Sequence, residues 1–315
     1  MLARFLPMTG NKMNTVLITG ATGFIGSNIA KSLTDKGYKV FATHRNNSSF
    51  YRCKDFKNLV QWINVENPDW KEEHTDIQID LLIHTAWQGV SAGERDNWDI
   101  QLSNFKFSKE IFEFAKSVNV KKIISLGSQA EYGIYNQKVD EEFTPVPVDA
   151  YGSVKLLTLY FLRNFATKEN IDWYWIRVFS VFGTNENGNW LLPSVILNLL
   201  QGKPVELTEG NQKYDYMHSD EFVINLQKVI ECHTDNSGIY NLCSGSAIEI
   251  KSLLNTLPKY IPDSEHLLNF GSIPYRLNQN MFMVGSNKKF ERIFGPVYLE
   301  NMDLNLQKTI KLYKD

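Results

Sequence analysis

Three residues in the middle of the chain could carry acid–base chemistry. Tyr151 and Lys155 lie four residues apart in the stretch YGSVK, and this spacing places both side chains on one face of a helix. A tyrosine hydroxyl ionises near pH ~10, but a nearby ammonium favours the tyrosinate and lowers this pKa. The pair could therefore donate and accept a proton near neutrality. Ser128, in the stretch SLGSQAEYG that precedes the helix, could hydrogen-bond the same substrate oxygen.

A glycine-spaced loop near the N-terminus predicts a binding site for a dinucleotide. The stretch ITGATGFIG places three glycines between a predicted strand and a predicted helix. Glycine lacks the Cβ atom that would keep backbone N–H groups and the helix N-terminus away from a pyrophosphate. No lysine followed by serine or threonine stands in the loop, which argues against a nucleoside triphosphate site. The predicted cofactor contacts in this loop are Gly20, Thr22, Gly23, Phe24, Ile25 and Gly26.

The end of the second predicted strand indicates which dinucleotide binds. A carboxylate at this point would accept hydrogen bonds from the ribose hydroxyls of NAD. The sequence has His44 and Arg45 instead, and a guanidinium suits the 2′-phosphate of NADP. The sequence therefore predicts NADP(H) in preference to NAD(H), the alternative being that Arg45 is only a solvated loop charge.

The elements that must position these residues alternate between strand and helix. Strands are predicted over 14–20, 38–45, 80–87, 121–127 and 172–180, and helices over 24–37, 97–118 and 151–168. This alternation predicts a doubly wound parallel sheet of the α/β class with right-handed crossovers. Ligands of such sheets bind at the carboxyl ends of the strands, so the helix that begins at Tyr151 should lie beside the cofactor cleft.

The sequence changes in character after about residue 183. A loop, TNENGN, and an apolar helix that ends at Gly202 are followed by shorter elements without a repeat. We expect a dinucleotide-binding Rossmann domain over 14–182, which also takes in about 219–247, and a smaller substrate-binding domain over 183–315. No low-complexity linker separates them, so the two should pack tightly.

Composition places the chain among ordinary globular proteins. Of 315 residues, 43% are hydrophobic and 22% are charged, and a net charge of −2 gives no basic field for nucleic acid or anionic lipid. Cys53, Cys232 and Cys243 are odd in number and lack metal-ligand spacing, which predicts thiols in a reducing compartment and no metal site. His84, at the end of a predicted strand, is expected to be structural.

Nothing in the sequence predicts export or membrane insertion. No stretch reaches the roughly 18 apolar residues of a membrane span. The leader over residues 1–13 has only a very short apolar patch and no small-residue cleavage site, so it is a poor signal peptide. A cytoplasmic location and no membrane partner are therefore expected.

The motifs together resemble a known family. The chain is similar to the extended short-chain dehydrogenases/reductases of the sugar-nucleotide epimerase, dehydratase and reductase type, from residue 14 to about 300. The resemblance is carried by TGATGFIG, HTA (84–86), Asn104, GSQAEYG, PVPVDAYGSVK, IRVFSVFG, YDYMHSDEF (214–222) and YNLCSGSAIEI (240–250).

The resemblance implies a role for each motif residue. Tyr151 would be the acid and base, and Lys155 would hold the nicotinamide ribose and lower the pKa of the tyrosine. Ser128 would orient the substrate carbonyl or hydroxyl, and Asn104 would support the lysine through a proton relay. The remaining candidates are Thr85, Ala86 and Phe179 for the cofactor, and Gln129, Trp87, Ser180 and Arg276 for a nucleotide-diphosphate sugar.

The residues after Ser128 bear on the type of reaction. The 4,6-dehydratases of the family resemble one another in having Thr-Asp-Glu where this chain has Ser128, Gln129 and Ala130. Glutamine and alanine cannot act as general acid or base, so dehydration is not expected. Fucose-synthase-like members have a cysteine at the position of Ala130 and a histidine near Trp190. Epimerisation beside the ketone therefore loses support as well.

A redox reaction at C4 of the sugar remains. The 4-epimerases of the family typically retain NAD and carry the acidic residue that His44 and Arg45 replace, and residues 269–290 resemble the C-terminal segment of nucleotide-deoxyhexose reductases. The expected function is NADPH-dependent reduction of the C4 ketone of a nucleotide-linked 4-keto-6-deoxy sugar, with Tyr151 as the proton donor. An NAD(P)-dependent 4-epimerase and a non-catalytic dinucleotide-binding regulator remain the alternatives.

Two departures from the family pattern concern the diphosphate of the substrate. The usual arginine before Asp215 is Tyr214 here, and the usual asparagine at position 180 is Ser180. In the wider family an arginine of the segment that corresponds to 269–290 binds the diphosphate, and the resemblance therefore nominates Arg276 for this contact.

The helix over 151–168 is apolar nearly all round, and such a helix must bury two faces. One face should cover the sheet, and the other should pack with the 97–118 helix against a second subunit. We expect a homodimer through a four-helix contact, as the family resemblance also implies.

Overall fold

The computed structural model describes residues 14–232, 236–276 and 279–314. The leader over 1–13 lies outside the described residues. The strands in chain order are β1 (Thr15–Thr19), β2 (Lys39–His44), β3 (Gln61–Asn64), β4 (Leu81–His84), β5 (Lys122–Ser128), β6 (Asp172–Val178), β7 (Ser180–Phe182), β8 (Val205–Leu207), β9 (Lys213–Tyr214), β10 (Tyr216–His218), β11 (Gly238–Leu242), β12 (Ile248–Glu249), β13 (Leu268–Phe270) and β14 (Phe282–Met283). The α-helices are α1 (Phe24–Asp35), α2 (Trp98–Ser117), α3 (Ala150–Glu169), α4 (Leu191–Leu200), α5 (Ser219–Glu231), α6 (Ile250–Leu254), α7 (Lys288–Phe294) and α8 (Met302–Lys314).

A parallel sheet of seven strands forms the centre of the described chain. Its strand order is β3-β2-β1-β4-β5-β6-β11, and every neighbouring pair runs parallel. The register places Thr19 opposite His84 and Ser128 opposite Val178, so the carboxyl ends of the strands share one edge. The predicted doubly wound α/β fold is confirmed.

Helices cover both faces of this sheet. Val16 and Ile18 of β1 pack on the side of α1 and α5, whereas Leu17 between them packs on the side of α2 and α3. Because both faces are buried, the central strands are apolar almost throughout rather than alternating. None of the helices formed by the described residues has the length and apolar content that crossing a bilayer requires.

Two strands differ from the sequence prediction. The prediction did not include β3, a short edge strand in which only Ile63 is buried, so no apolar run marks it. The strand predicted over 172–180 ends at Val178, and after Phe179 the chain resumes as β7, which leaves the central sheet and pairs with β10.

The residues after β7 build a smaller layer beside the sheet. β8 pairs with β13, and β9 lies between β12 and β14. Helices α4, α6 and α8 pack around a core that includes Leu192, Ile196, Leu254 and Leu306. From this half of the chain, β11 returns to pair with β6 as the last strand of the central sheet. The predicted domain boundary at residue 183 stays a prediction.

The turn between β1 and α1 requires glycine at two positions. Gly20 has φ +73°, and a Cβ atom there would lie 2.7 Å from the backbone nitrogen of Ala86. A Cβ atom on Gly26 would lie 2.1 Å from the carbonyl oxygen of Gly20. The first turn of α1 therefore approaches the end of β1 so closely that a Cβ atom at either position would overlap neighbouring backbone.

We predict that Gly26→Ala destabilises the protein by about 1–3 kcal/mol, because the new methyl group overlaps a backbone carbonyl that cannot withdraw. Gly93→Ala is the matched control, since a Cβ atom on Gly93 meets no atom within 4 Å. Denaturant unfolding of both variants and the wild type measures the difference. Equal free energies of unfolding for the two variants would show that the turn accommodates the methyl group of Gly26→Ala and would contradict the prediction.

Candidate active site

Two contacts fix the start of α3. Asp149 caps the helix, because its carboxylate accepts a hydrogen bond from the N–H of Gly152 at 2.7 Å. The N–H of Tyr151 donates to the backbone carbonyl of Arg95 at 2.9 Å, which ties the helix to the loop between β4 and α2. Tyr151 is thereby held in the first turn of α3, beside the carboxyl ends of β4 and β5.

Ser128 ends β5 and is fixed by a reciprocal cap. Its Oγ accepts a hydrogen bond from the N–H of Ala130 at 3.1 Å, while the carboxylate of Glu131 accepts one from the N–H of Ser128 at 2.8 Å. Burial raises the pKa of Tyr151, and the neighbouring Ser128 side chain acts in the opposite direction and lowers it. The structure thus brings together the serine and the tyrosine that the sequence nominated.

The sequence analysis missed Glu131, which lies fully buried beneath the site. Its carboxylate accepts hydrogen bonds from Trp175 Nε1 at 2.9 Å and from Arg177 Nε at 2.8 Å, in addition to the Ser128 N–H. A Cβ atom on Gly127 would lie 2.1 Å from Trp175 Nε1, so glycine is needed there. A carboxylate engaged in this way anchors the turn and is not free to exchange protons with a substrate. Glu131 could have been predicted from the sequence, because it follows Ser128 by three residues, the spacing of a capping box.

Lys155 is buried one helical turn after the tyrosine. Its Nζ donates to the carbonyl of Leu126 at 2.7 Å and lies 3.6 Å from the ring centre of Trp87. Burial lowers the pKa of Lys155 to about 7, and the charge of Glu131 opposes this shift. Nζ lies 5.9 Å from the ring centre of Tyr151, so the two predicted partners do share one pocket.

The ring of Tyr151 is enclosed by two other side chains. The guanidinium carbon of Arg95 lies 4.3 Å from its centre, and the Trp87 ring meets it edge-on with centroids 6.1 Å apart. Burial raises the pKa of Tyr151, while the charge of Arg95 lowers it. Arg95 was not among the residues predicted from the sequence. It lies in the loop that follows β4, and no motif marks it there.

The Asn104 side chain holds the loop between β4 and α2. It donates to the carbonyl of Gln88 at 3.0 Å and accepts from the N–H of the same residue at 2.8 Å. Three residues earlier in α2, Gln101 accepts a hydrogen bond from Trp87 Nε1 at 2.8 Å. Asn104 therefore supports the loop that carries Trp87, and its support of Lys155 through a proton relay stays a prediction.

The glycine loop offers a cradle for a pyrophosphate. No side chain caps α1 at Gly23, so its first N–H groups stay available to an anion. The Oγ1 of Thr85 donates to the Thr19 carbonyl at 2.7 Å, and the N–H of Ala86 donates to the Thr19 hydroxyl at 3.3 Å. These contacts hold β4 against the loop. The close packing that glycine permits and the uncapped helix together fit a bound dinucleotide.

The other candidates of this loop follow the same turn. Thr22 immediately precedes the N-cap residue Gly23, and Phe24 and Ile25 open the first turn of α1. The backbone N–H groups of Phe24 and Ile25 lie among those that the missing cap leaves for a phosphate.

His44 and Arg45 stand at the end of β2 as predicted. The His44 ring packs on Phe50 with centroids 5.4 Å apart, and Arg45 is exposed. A carboxylate does lie at this edge, because Glu66 after β3 accepts a hydrogen bond from the N–H of Asn46 at 2.7 Å. The edge thus offers one exposed guanidinium and one engaged carboxylate.

Three further candidates lie at the ends of neighbouring strands. Phe179 lies between β6 and β7, Ser180 begins β7, and Gln129 directly follows β5. Phe179 is buried in a small cluster with Tyr135. The N–H of Ser180 donates to the carbonyl of Asp215 at 3.1 Å. The Oε1 of Gln129 accepts a hydrogen bond from the Tyr135 hydroxyl at 3.3 Å. Gln129 is thus connected to the cluster around Phe179.

Burial raises the pKa of Tyr214, and the positive charge of the exposed Arg276 opposes this rise. The Tyr214 hydroxyl donates to the carbonyl of Asn280 at 2.9 Å. Tyr214, which replaces the family's arginine, therefore points toward the segment that carries Arg276. The guanidinium of Arg276 supplies a positive charge near this tyrosine.

His84 is buried within the sheet, and both of its ring nitrogens contact side chains of the protein. Its Nδ1 lies 2.7 Å from the Thr19 hydroxyl and its Nε2 lies 2.9 Å from the Ser108 hydroxyl. Burial lowers the pKa of His84 to about 3, so the imidazole is neutral. Within the described residues, no group of three or more His, Cys, Asp and Glu side chains is placed to hold a metal ion.

Comparisons with known proteins agree with this geometry. A family described as the NAD dependent epimerase/dehydratase family matches residues 16–243. An uncharacterized protein of Methanocaldococcus jannaschii is 25% identical over 270 residues, which cover 79% of this chain and 82% of that protein.

Solved structures share the fold over nearly the whole chain. A UDP-glucose 4-epimerase of Thermotoga maritima superimposes with a TM-score of 0.87 at 19% identity, covering 95% of this chain and 98% of the other. A UDP-N-acetylglucosamine 4-epimerase of Methanobrevibacter ruminantium gives a TM-score of 0.86 at 22% identity, with coverages of 96% and 99%. A UDP-glucuronic acid 4-epimerase of Bacillus cereus gives a TM-score of 0.84 at 20% identity, with coverages of 95% and 99%. At these identities the structures show the fold alone.

The family match spans well over half of the 315 residues and includes the glycine loop, the end of β5 and the Tyr151–Lys155 pair. The sheet order and the enclosed tyrosine are consistent with that match. On these grounds the chain is an enzyme of the NAD dependent epimerase/dehydratase family.

Proposed function

We propose that this protein acts at C4 of a nucleotide-linked hexose as a 4-epimerase. The observation that carries the proposal is a single proton carrier, Tyr151, which lies buried beside Ser128 at the carboxyl end of β5. Gln129 and Ala130, the two residues after Ser128, have no acid–base capacity. A 4-epimerase needs only one carrier, used in both directions, because the same carbon is oxidised and then reduced.

The side chains of the site divide the work. Tyr151 takes the proton of the C4 hydroxyl in the oxidation and returns it in the reduction. Ser128 hydrogen-bonds the same oxygen and holds it within reach of the tyrosine. Lys155 holds the nicotinamide ribose from its buried position beside Tyr151. When bound, the dinucleotide accepts and supplies the hydride.

Reactions at neighbouring carbons need groups that this site lacks. Elimination of water requires further acid–base groups, and the only carboxylate of the turn, Glu131, is engaged by Ser128, Trp175 and Arg177. Ala130 stands where a thiol proton carrier would be needed. Chemistry confined to C4 is what the remaining side chains support.

The named neighbours favour epimerisation among reactions at C4. The three solved structures described above are 4-epimerases of UDP-sugars, and the family is named for epimerases and dehydratases. We therefore infer a nucleotide-diphosphate sugar, with UDP as the first nucleotide to try. Its diphosphate would meet the exposed guanidinium of Arg276.

A second candidate is NADPH-dependent reduction of a nucleotide-linked 4-keto-6-deoxy sugar. The observation that favours it is Arg45, an exposed guanidinium at the end of β2 where an NAD enzyme would place an acid. The same argument supports NADP(H) in preference to NAD(H). Tyr151 would then act in one direction only, as the proton donor to the C4 oxygen.

We also propose that two copies of the chain associate through α2 and α3. These helices pack on each other, with the rings of Phe105 and Phe161 5.7 Å apart. They leave large apolar side chains in solvent, Leu102 being 46% exposed and Leu157 42% exposed. A second copy of the same two helices would cover this surface.

We predict that Tyr151→Phe lowers turnover by about 10²- to 10⁴-fold, because it removes the proton carrier and little else. Dinucleotide binding should persist. Tyr298→Phe, an exposed tyrosine outside the site, is the matched control and should keep full activity. The assay offers UDP-hexoses and nucleotide-linked 4-keto sugars with each dinucleotide, and follows both product and dinucleotide absorbance.

The two candidate functions give different outcomes in this assay. An inverted C4 hydroxyl without net consumption of dinucleotide supports the epimerase, whereas one NADPH consumed per product supports the reductase. A protein that binds dinucleotide and converts none of these sugars would refute both.

We predict that Arg45→Ala weakens NADPH binding about tenfold, because a charge-assisted contact to the 2′-phosphate is lost. NADH binding should change little. Arg292→Ala, an exposed arginine of α7, controls for the change in net charge. Titration calorimetry of both dinucleotides measures the ratio, and tighter binding of NADH by the wild type would contradict the preference.

We predict that the wild type has twice the 36.3 kDa mass of the chain in solution, and that Leu157→Glu shifts it toward a single chain. The new carboxylate would be buried without a partner in the contact. Leu312→Glu, at an exposed position of α8, should leave the mass unchanged. Light scattering at micromolar concentration decides, and a monomeric wild type would exclude the dimer.

A further inference from the structure

The loop between β4 and α2 places a cation directly against the proton carrier. The guanidinium carbon of Arg95 lies 4.3 Å from the ring centre of Tyr151. Its Nε donates to the Asp149 carboxylate at 2.9 Å, and its backbone carbonyl accepts the Tyr151 N–H at 2.9 Å. The Arg95 side chain is 29% exposed. It therefore covers the buried tyrosine at the border with solvent.

Lys155, the cation that the helical spacing assigns to Tyr151, is oriented elsewhere. Its Nζ is engaged by the carbonyl of Leu126 at 2.7 Å and lies 3.6 Å from the ring centre of Trp87. Its distance from the ring centre of Tyr151 is 5.9 Å. Of the two cations, the one from the loop is therefore nearer to the tyrosine ring.

Charged side chains from four elements surround Tyr151 in the described structure. Arg95 and Asp149 come from the loops before α2 and α3, Glu131 comes from the turn after β5, and Lys155 comes from α3 itself. Burial raises the pKa of Tyr151 and the two carboxylates add to the rise, whereas the charge of Arg95 lowers it. The arginine, together with the Ser128 side chain, thus opposes the effects of burial and of the two carboxylates on this tyrosine.

We propose that Arg95 is a positioning residue for the acid–base step, which packs on the Tyr151 ring and supplies the positive charge that favours its phenolate form. The inference rests on the proposed function, in which Tyr151 accepts the proton of the C4 hydroxyl. Only the phenolate can accept that proton. Without Arg95, the phenolate forms only at higher pH. Oxidation of the sugar then also requires a higher pH.

A direct titration of Tyr151, in protein with its dinucleotide bound, tests the inference. Protein labelled with ζ-¹³C tyrosine gives a resonance that is assigned to Tyr151 by its loss in Tyr151→Phe. Arg95→Gln is expected to raise the pKa of this tyrosine by about one unit. Arg95→Lys, which keeps the charge, should restore most of the difference. Asp149→Asn, which can still cap α3, should shift the pKa downward, because it removes a carboxylate and frees the arginine.

Arg292→Gln is the matched control and should leave the titration of Tyr151 unchanged. In turnover, Arg95→Gln should lose about tenfold at pH 7 and recover as the pH rises, whereas damage to the fold would lower activity at every pH. Identical titration of Tyr151 in Arg95→Gln and the wild type overturns the inference, as does a Tyr151 that titrates in neither. Failure of every nucleotide sugar to react would refute the proposed function alone, since the titration needs no substrate.

Discussion

The ion pair of Glu131 and Arg177 lies completely buried behind the carboxyl edge of the sheet, and the geometry of the site depends on it. Desolvation of two charges is offset only when their remaining hydrogen-bonding capacity is used. Trp175 and the N–H of Ser128 donate to the same carboxylate. The backbone of Ser128 is therefore held in place by the buried carboxylate of Glu131. Residues of β5, of the following turn and of β6 are joined at this one point.

Burial sets the electrostatic character of the site. It pushes both Tyr151 and Lys155 toward their neutral forms, since the pKa of the tyrosine rises and that of the lysine falls. In such a medium each neighbouring charge acts more strongly than it would in water. In the proposed reaction, a loop arginine and a buried glutamate would therefore affect proton transfer although neither holds the transferred proton. The site combines one proton carrier with several fixed charges around it.

Much of this arrangement could be predicted from the sequence because it is local. The glycine loop and the Tyr151–Lys155 spacing each report one element, and the alternation of strands and helices gives the fold. Contacts between distant loops left no such pattern. Arg95 reaches Tyr151 only because the loop after β4 and the start of α3 meet at one edge, and the Asn104 side chain holds the backbone of that loop at Gln88. The short strand β3 has too few buried residues to be recognised.

The return of β11 to the central sheet has a consequence for how such chains can be recombined. The strand that completes the cofactor-binding sheet beside β6 lies beyond β7 to β10, in the half of the chain that builds the smaller layer. A different version of the smaller layer could therefore not be joined to the sheet at a single junction. The exchange would need crossovers on both sides of α5 and β11, with this segment kept from the original chain. The two halves are interleaved rather than modular, and variation in specificity would arise within the loops more easily than by shuffling.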